Sequence, residues 1–299
     1  MRVFVTGASG HIGSAAVPEL LEAGHQVVGL ARNDAAAERV AARGAEVHRG
    51  DVFDPDSYLD ALDAADGVIH LAYDHSFTDM AAAAAEDLRV TKAIGERLVG
   101  TGKPLVATSG TLMLARRAPG VLGLEEHTLE AGPRVDTENA VIALAERGVR
   151  SSVVRLAPLV HSDLDHHGFS PTLIRIAREK GVAAYVGDGA NRWPALNTRD
   201  AARIYRLALE SAPGGTRLHG VENEGYAFRL IAETIAERLG VPAASIAADD
   251  AAAHFGFLGF AVGADNPTSN AFTRKTLGWE PEHVGLIEDL KQDHYFVEQ

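Results

Sequence analysis

Residues 6–13 read TGASGHIG; the run RVFVT (2–6) leads into them and SAAVPELLEAG follows. A β-branched apolar run, three spaced glycines and a helical stretch can be joined in few ways. The run reads as a strand, and the glycines as a turn that feeds the chain into a helix. Gly7 permits the tight turn, Gly10 lets the backbone approach a pyrophosphate, and Gly13 lets the helix pack close to the strand. The helix start then offers free N–H groups and the positive end of its dipole to phosphate oxygens. That makes Ser9, Gly10, His11, Ile12 and Gly13 candidate phosphate contacts. Pro18 falls inside the helix and is expected to bend it. A glycine trio alone is also what a plain structural turn shows, so the rest of the chain has to decide.

The pattern repeats. HQVVGLA (25–31) reads as a second strand, and DAAAERVAARG as a short helix ending at Gly44, a glycine placed to stop it. AEVHRGD (45–51) is a third strand, DPDSYLDALDAAD a third helix and GVIHLA (67–72) a fourth strand. Strands alternating with helices imply βαβ units and a doubly wound parallel α/β sheet, a Rossmann fold. An acid at the end of the second strand would bind the ribose hydroxyls of NAD. Here that position is Ala31, followed by Arg32 and Asn33. The missing carboxylate removes repulsion from a 2′-phosphate and Arg32 offers a fork of donors to it, which favours NADP(H) over NAD(H). The plain alternative leaves Arg32 solvated, with Asp34 capping the next helix. Asp51 is expected at the adenine amine and Val52 against the ring.

A length of 299 residues suits one large domain or two intimate ones. The net charge of −13 is spread along the chain, which argues against nucleic acid as a partner. With no cysteine, disulfides, thiolate catalysis and cysteine-bound zinc are excluded. No apolar run is long enough for a membrane helix and the first residues form a strand, so a cytoplasmic protein is expected.

Taken together, TGASGHIG, RGDV (49–52), VIHLA (68–72) and LVATSG (105–110) resemble the extended short-chain dehydrogenase/reductase superfamily, of the NAD-dependent epimerase/dehydratase type. VVRLAPLVH (153–161), GDGANRWPALNTRDAA (187–202, with Asp200 as helix cap) and RKTLGWEP (274–281) extend the likeness over nearly the whole chain. The resemblance implies a Rossmann domain of residues 1–160 joined by parts of 191–222. It also implies a smaller C-terminal α/β substrate region of 161–190 and 223–299. It further implies NAD(P)-dependent chemistry on a small molecule, a possible homodimer, and cofactor contacts from Leu71, Ala72, Tyr73 and Thr108.

The family's usual catalysis uses Tyr-x-x-x-Lys on one helix, where four-residue spacing puts both side chains on one face. In GPRVDTENAVI (132–142) those positions hold Arg134 and Glu138, and none of the six tyrosines has a lysine four residues later. The family's Ser/Thr position falls on Gly110, flanked by Ser109 and Thr111. Candidates to replace the dyad lie in YDHSF (73–77): Tyr73 or His75 as proton donor, with Asp74 orienting the imidazole. The alternative is a loop that only packs on the cofactor. Arg134 stays charged and cannot be a useful acid. It suits a substrate carboxylate or a developing oxyanion, or else a surface ion pair with Glu138.

HSDLDHHGF (161–169) holds three histidines and two aspartates without a zinc-site spacing. No metal is expected, and His161 is kept as a residue lining the substrate cleft. His11 and His70 read as structural. LIAETIAERLG (230–240) and LIEDLKQDHYF (286–296) read as amphipathic helices. The apolar stretch 251–267 reads as pocket wall, dimer contact or core. These observations point to an NADP(H)-dependent oxidoreductase of a small carbonyl or alcohol with a non-standard proton donor. A non-catalytic NAD(P)-binding sensor is the alternative. Epimerase or dehydratase chemistry leans on the missing pair.

Overall fold

The computed structural model describes residues 1–75, 79–118 and 120–297. Strand β1 (Arg2–Thr6) shows why the first apolar run is continuous. Val3 and Val5 enter one hydrophobic cluster while Phe4 enters another on the opposite face of the sheet. The same split recurs at Val27/Val28 in β2 (Gln26–Ala31), Val68/Ile69 in β4 (Gly67–His70) and Leu105/Val106 in β5 (Pro104–Gly110). A strand covered on both faces has no polar side to show.

With β3 (Glu46–Arg49), β6 (Arg150–Leu156) and β11 (Thr216–Gly220), these strands form a seven-stranded parallel sheet in the order β3-β2-β1-β4-β5-β6-β11. Helices α1 (His11–Glu22) and α8 (Thr198–Ser211) cover one face. Helices α3 (Leu59–Ala64), α4 (Met80–Leu98) and α6 (Val135–Ala143) cover the other. Helix α2 (Asp34–Ala42) links β2 to β3, and the short α5 (Leu114–Arg117) follows β5. The expected doubly wound Rossmann architecture is present.

The C-terminal elements build a second core. Strand β7 (Leu159–His161) pairs in parallel with β10 (Ala195–Asn197), and β8 (Ala183–Val186) with β13 (Ala243–Ile246). Strands β9 (Arg192–Trp193) and β12 (Tyr226–Ala227) are antiparallel. Helices α7 (Phe169–Lys180), α9 (Phe228–Leu239) and α10 (Ala251–Phe255) close over the fully buried Trp193, whose ring meets Phe228 edge-on at 5.1 Å. Helix α11 (Ala271–Leu277) stops at Gly278 and is followed by the buried Trp279. Of the stretch 251–267, Phe255, Leu258 and Val262 are core, while Phe260 is exposed.

Several local expectations need correction. The third helix is split into a 3-10 turn at Pro55–Ser57 and α3, because the Ser57 hydroxyl bonds to the carbonyls of Asp51 and Asp54 rather than leaving the backbone to continue. The segment 286–296 is not one helix. It forms α12 (Leu286–Asp289) and a 3-10 turn at Asp293–Tyr295. The break lets the Tyr295 hydroxyl reach the amide of Ser162 at 3.1 Å. Asn33, not Asp34, caps α2, and Asn197, not Asp200, caps α8. Asp200 instead accepts the amides of Glu282 and His283, both at 3.0 Å, and pins the C-terminal segment to α8. Helix α1 runs from His11 to Glu22 through Pro18. Among the described residues no helix is long and apolar enough to cross a membrane.

Candidate active site

In a parallel sheet wound both ways from one strand, the loops after the two central strands separate and leave a crevice at their C-terminal ends. Here those strands are β1 and β4, so the glycine loop and Leu71–His75 form its sides. Gly7 has φ +69°, and a Cβ there would lie 2.8 Å from the amide nitrogen of Ala72. A Cβ on Gly13 would lie 2.4 Å from the carbonyl oxygen of Gly7 and 2.6 Å from that of Ala8. Neither position tolerates a side chain. Gly10 is less confined: its amide bonds to the carbonyl of Gly7 at 3.0 Å, and a Cβ would come no nearer than 3.3 Å. Ser14 N–H to Gly10 C=O opens the helix ladder of α1. The amides of His11, Ile12 and Gly13 therefore point out of its end, as a pyrophosphate requires. The imidazole of His11 turns away to the Thr198 hydroxyl, with Nε2 at 2.8 Å, so its role is to tie the loop to α8. Burial first, then the neighbouring His166, His161, His75 and His167, push its pKa down to about 4.

At the end of β2, Ala31 is buried and Arg32 and Asn33 are exposed. Asp34 is drawn to Arg49 at 2.6 Å. Arg43, just past α2, was not anticipated from the sequence. Its Nη1 donates to the carbonyl of Ala8 at 2.9 Å, which carries a second cation to the glycine loop. Asp51 accepts the amide of Phe53 at 3.0 Å. Val52 and Phe53 wall a shallow recess that reaches to His70, Ala72, Tyr73 and Asp87.

The charged centre of the site lies beside this recess. Arg134 is the only non-glycine residue with positive φ among the described residues, at +67°, and it stands at the N-cap of α6. Its guanidinium lies 4.0 Å from the centroid of the Tyr73 ring. Nη2 donates to the carbonyl of Thr108 at 2.9 Å, and Nη1 lies 3.5 Å from the Asp87 carboxylate. Asp87 is buried on α4, with the His70 Nε2 at 3.8 Å; the His70 Nδ1 is joined to the Thr6 hydroxyl at 2.7 Å. The His75 ring meets Tyr73 edge-on at 5.1 Å. Burial raises the Tyr73 phenol pKa against the opposing pull of Arg134, and burial lowers that of His75. Ser76 and Phe77 of the same stretch lie outside the described residues. Asp87 had a readable signal. It shares the buried face of α4 with Val90, Thr91, Ile94 and Leu98, and an acid on an apolar face needs a partner.

Other expected residues are placed differently. Arg134 and Glu138 do not pair. Glu138 is buried and held by Arg155 and Arg217, because α6 turns that position into the interior. Ser109 and Thr111 are buried as well. The Thr111 hydroxyl receives Asn266 at 3.1 Å, and neither hydroxyl is open to the crevice. Thr108 contacts Tyr205 through its hydroxyl at 2.8 Å. His161 does not line a cleft. It is fully buried between Asp289 at 2.9 Å and Glu222 at 3.2 Å. Among the described residues no group of three or more histidines and carboxylates is arranged to hold a metal ion.

Residues 3–218 match the NAD dependent epimerase/dehydratase family. The chain belongs to that family. It is 44% identical over 298 residues to an uncharacterized protein of Schizosaccharomyces pombe, covering 99% of this chain and 100% of that one. It is 30% identical over 229 residues to a 2-alkyl-3-oxoalkanoate reductase of Stenotrophomonas maltophilia, covering 72% of this chain and 67% of the reductase. The fold superposes on a short-chain dehydrogenase/reductase superfamily protein of Agrobacterium tumefaciens with bound NAD, with a TM-score of 0.77, 20% identity and coverage of 99% and 96%. That places the chain in a family of the NAD(P)-dependent oxidoreductase and epimerase type.

Proposed function

We propose that the protein is an NADP(H)-dependent reductase of a small carbonyl compound, with Tyr73 as the proton donor. The observation that carries this reading is the position of Tyr73, on the loop that faces the glycine turn, with Arg134 stacked on its ring at 4.0 Å. A bound nicotinamide cofactor supplies the hydride. The chain supplies a phenol held in place by a cation on its face and the His75 ring on its edge. A cation over an aromatic ring is an attraction of about 0.5–2 kcal/mol, and here it fixes the geometry a general acid needs. His75 is the reserve donor, and Arg134 is also placed to meet a developing oxyanion.

Three features support NADP(H). The second strand ends in Ala31 rather than an acid, Arg32 is exposed beyond it, and Arg43 is anchored beside the glycine loop. Both Arg32 and Arg43 are suited to a 2′-phosphate. Ser9 to Gly13 would take the pyrophosphate, Asp51 and Val52 the adenine, and Leu71, Ala72 and Thr108 the ribose end. The likeness to a 2-alkyl-3-oxoalkanoate reductase supports a ketone as substrate.

One observation favours a second reading, a cofactor-binding sensor without turnover: Glu138, which we align with the family's lysine, is locked in a structural ion pair. The deciding experiment follows NADPH consumption over a panel of ketones and aldehydes, alongside NADPH binding. Turnover that falls about a hundredfold in Tyr73→Phe with NADPH affinity unchanged is expected. Equal turnover in Tyr73→Phe overturns the donor assignment. Tight NADPH binding with no turnover over the panel favours the sensor.

A further inference from the structure

We propose that Asp87 is a positioning residue that acts through Arg134: with the guanidinium held over the Tyr73 ring by the Thr108 carbonyl, the Asp87 carboxylate beside it balances its charge, so that the proton stays on Tyr73. This rests on the reading of Tyr73 as proton donor.

The left-handed backbone of Arg134 is sparsely populated for a residue with a Cβ, so the surroundings must hold it. The Thr108 carbonyl at 2.9 Å and the Tyr73 ring hold the guanidinium, and the Asp87 carboxylate stands beside it at 3.5 Å. Only Asp87 among them carries charge. Without it, a cation in a half-buried position would lie directly over a phenol, and opposite charge within about 4–6 Å favours the ionised form of an acid. The phenol would then hold its proton less tightly, which is the wrong direction for a group that must retain a proton until a substrate oxygen needs it.

The charges around the pair come from every packed element. Arg134 stands on α6 and Asp87 on α4, where Thr137 of α6 also faces it. His70 reaches Asp87 from β4, with Nε2 at 3.8 Å and Nδ1 fixed by Thr6. Asp74 and His75 flank Tyr73 on its own loop. Burial would favour the neutral form of Asp87, but His70 and Arg134 outweigh it and hold its carboxyl below the usual range. Asp87 is therefore an ionised, buried counter-charge, and its contribution to Tyr73 opposes that of Arg134.

The test reads the phenol directly. Phenolate absorbance is titrated in the full chain and in Asp87→Asn, each against the same protein carrying Tyr73→Phe, so that the difference isolates Tyr73. In Asp87→Asn the Tyr73 phenolate is expected to appear about one pH unit or more lower than in the parent. Asp87→Glu should restore most of the difference. In the same variants the alkaline limb of kcat for carbonyl reduction should move with the phenolate while KM for NADPH holds. An unmoved phenolate titration in Asp87→Asn overturns the positioning role even if Tyr73→Phe abolishes turnover. Full turnover in Tyr73→Phe instead overturns the donor reading and the role of Asp87 in proton delivery with it, whatever the titration shows. If Asp87→Asn does not fold, the titration in Asp87→Glu decides: there the longer carboxylate should leave Tyr73 within about half a pH unit of the parent, and a larger acidward shift than that overturns the proposal.

Discussion

Arg155 grips Glu138 with both arms of its guanidinium, Nε to Oε2 at 2.9 Å and Nη2 to Oε1 at 2.5 Å, in the interior between β6 and α6. Arg217 adds Nε to Oε1 at 2.7 Å. Arg155 Nη1 meets the His219 Nε2 at 3.1 Å, and the His219 Nδ1 meets the carbonyl of Ser269 at 2.8 Å. Burial and Arg155 push His219 down to about 3, so it is neutral, donating from Nδ1 and accepting at Nε2. One carboxylate thus serves two arginines.

Building a Tyr-x-x-x-Lys pair at positions 134 and 138 should therefore fail. Glu138→Lys would leave three cations together in the interior, and breaking a buried pair costs about 3–5 kcal/mol. The double variant Arg134→Tyr/Glu138→Lys is expected to lose at least that much unfolding free energy in denaturant and to gain no turnover. Stability within about 1 kcal/mol of the parent would show that the network relaxes around a lysine.

Arg134 invites a comparison of two truncations. Both Arg134→Gly and Arg134→Ala remove the guanidinium from the Tyr73 ring and from Asp87, and both should abolish turnover. Only glycine accepts φ +67° without strain. The left-handed conformation costs a residue with a Cβ about 1–2 kcal/mol, so the glycine variant should be the more stable of the two by about 1 kcal/mol. Equal unfolding midpoints would mean that the turn before α6 relaxes once the arginine is gone.

How much of this was readable follows from what each feature depends on. Strand–turn–helix order and the glycine loop are local, and they were legible because Gly7 and Gly13 each meet a steric demand of the turn, a positive φ at Gly7 and close backbone oxygens at Gly13. The end of β2 was legible for the same reason, although the cap fell on Asn33 rather than Asp34. The ion pairs were not legible. Asp87 and Arg134 are 47 residues apart in sequence, and His161 and Asp289 are 128 apart. Its place at the end of the strand motif 153–161 marked His161 for the substrate cleft, but only the fold shows two carboxylates closing on it. The 286–296 helix failed because tertiary contacts of Asp289 and Tyr295 outweigh helical periodicity.

The glycine loop gives a graded prediction. Gly13→Ala would drive a methyl into two backbone oxygens at 2.4 and 2.6 Å. Backbone cannot yield as a flexible side chain does, so both stability and cofactor affinity should fall. In Gly10→Ala the nearest atom is 3.3 Å away, so the fold should survive and the loss should appear in NADPH affinity alone. Thermal unfolding and nicotinamide fluorescence titration of both variants check this. A Gly10→Ala protein that binds NADPH as the parent does would mean that the backbone there does not approach the cofactor.

His161 should make stability depend on pH. Burial alone would lower its pKa, but the hydrogen bonds and charges of Asp289 and Glu222 outweigh that and raise it to about 9. The folded state then holds this proton more tightly than the unfolded chain, where an imidazole titrates near 6.5. The stabilisation is complete below about pH 6.5 and is lost as pH rises through about 9. The gap corresponds to about 3 kcal/mol at about 1.4 kcal/mol per unit. Asp165, pushed up to about 7 by burial, acts in the same direction but over a lower window, losing its contribution between about pH 4 and 7. Unfolding free energy measured from about pH 7 to 9.5 in the parent and in His161→Gln separates the two. The parent should lose about 2–3 kcal/mol more than the variant across that range. Parallel curves would show that His161 carries the same charge folded and unfolded, and that Asp289 and Glu222 are held to β7 by hydrogen bonds alone.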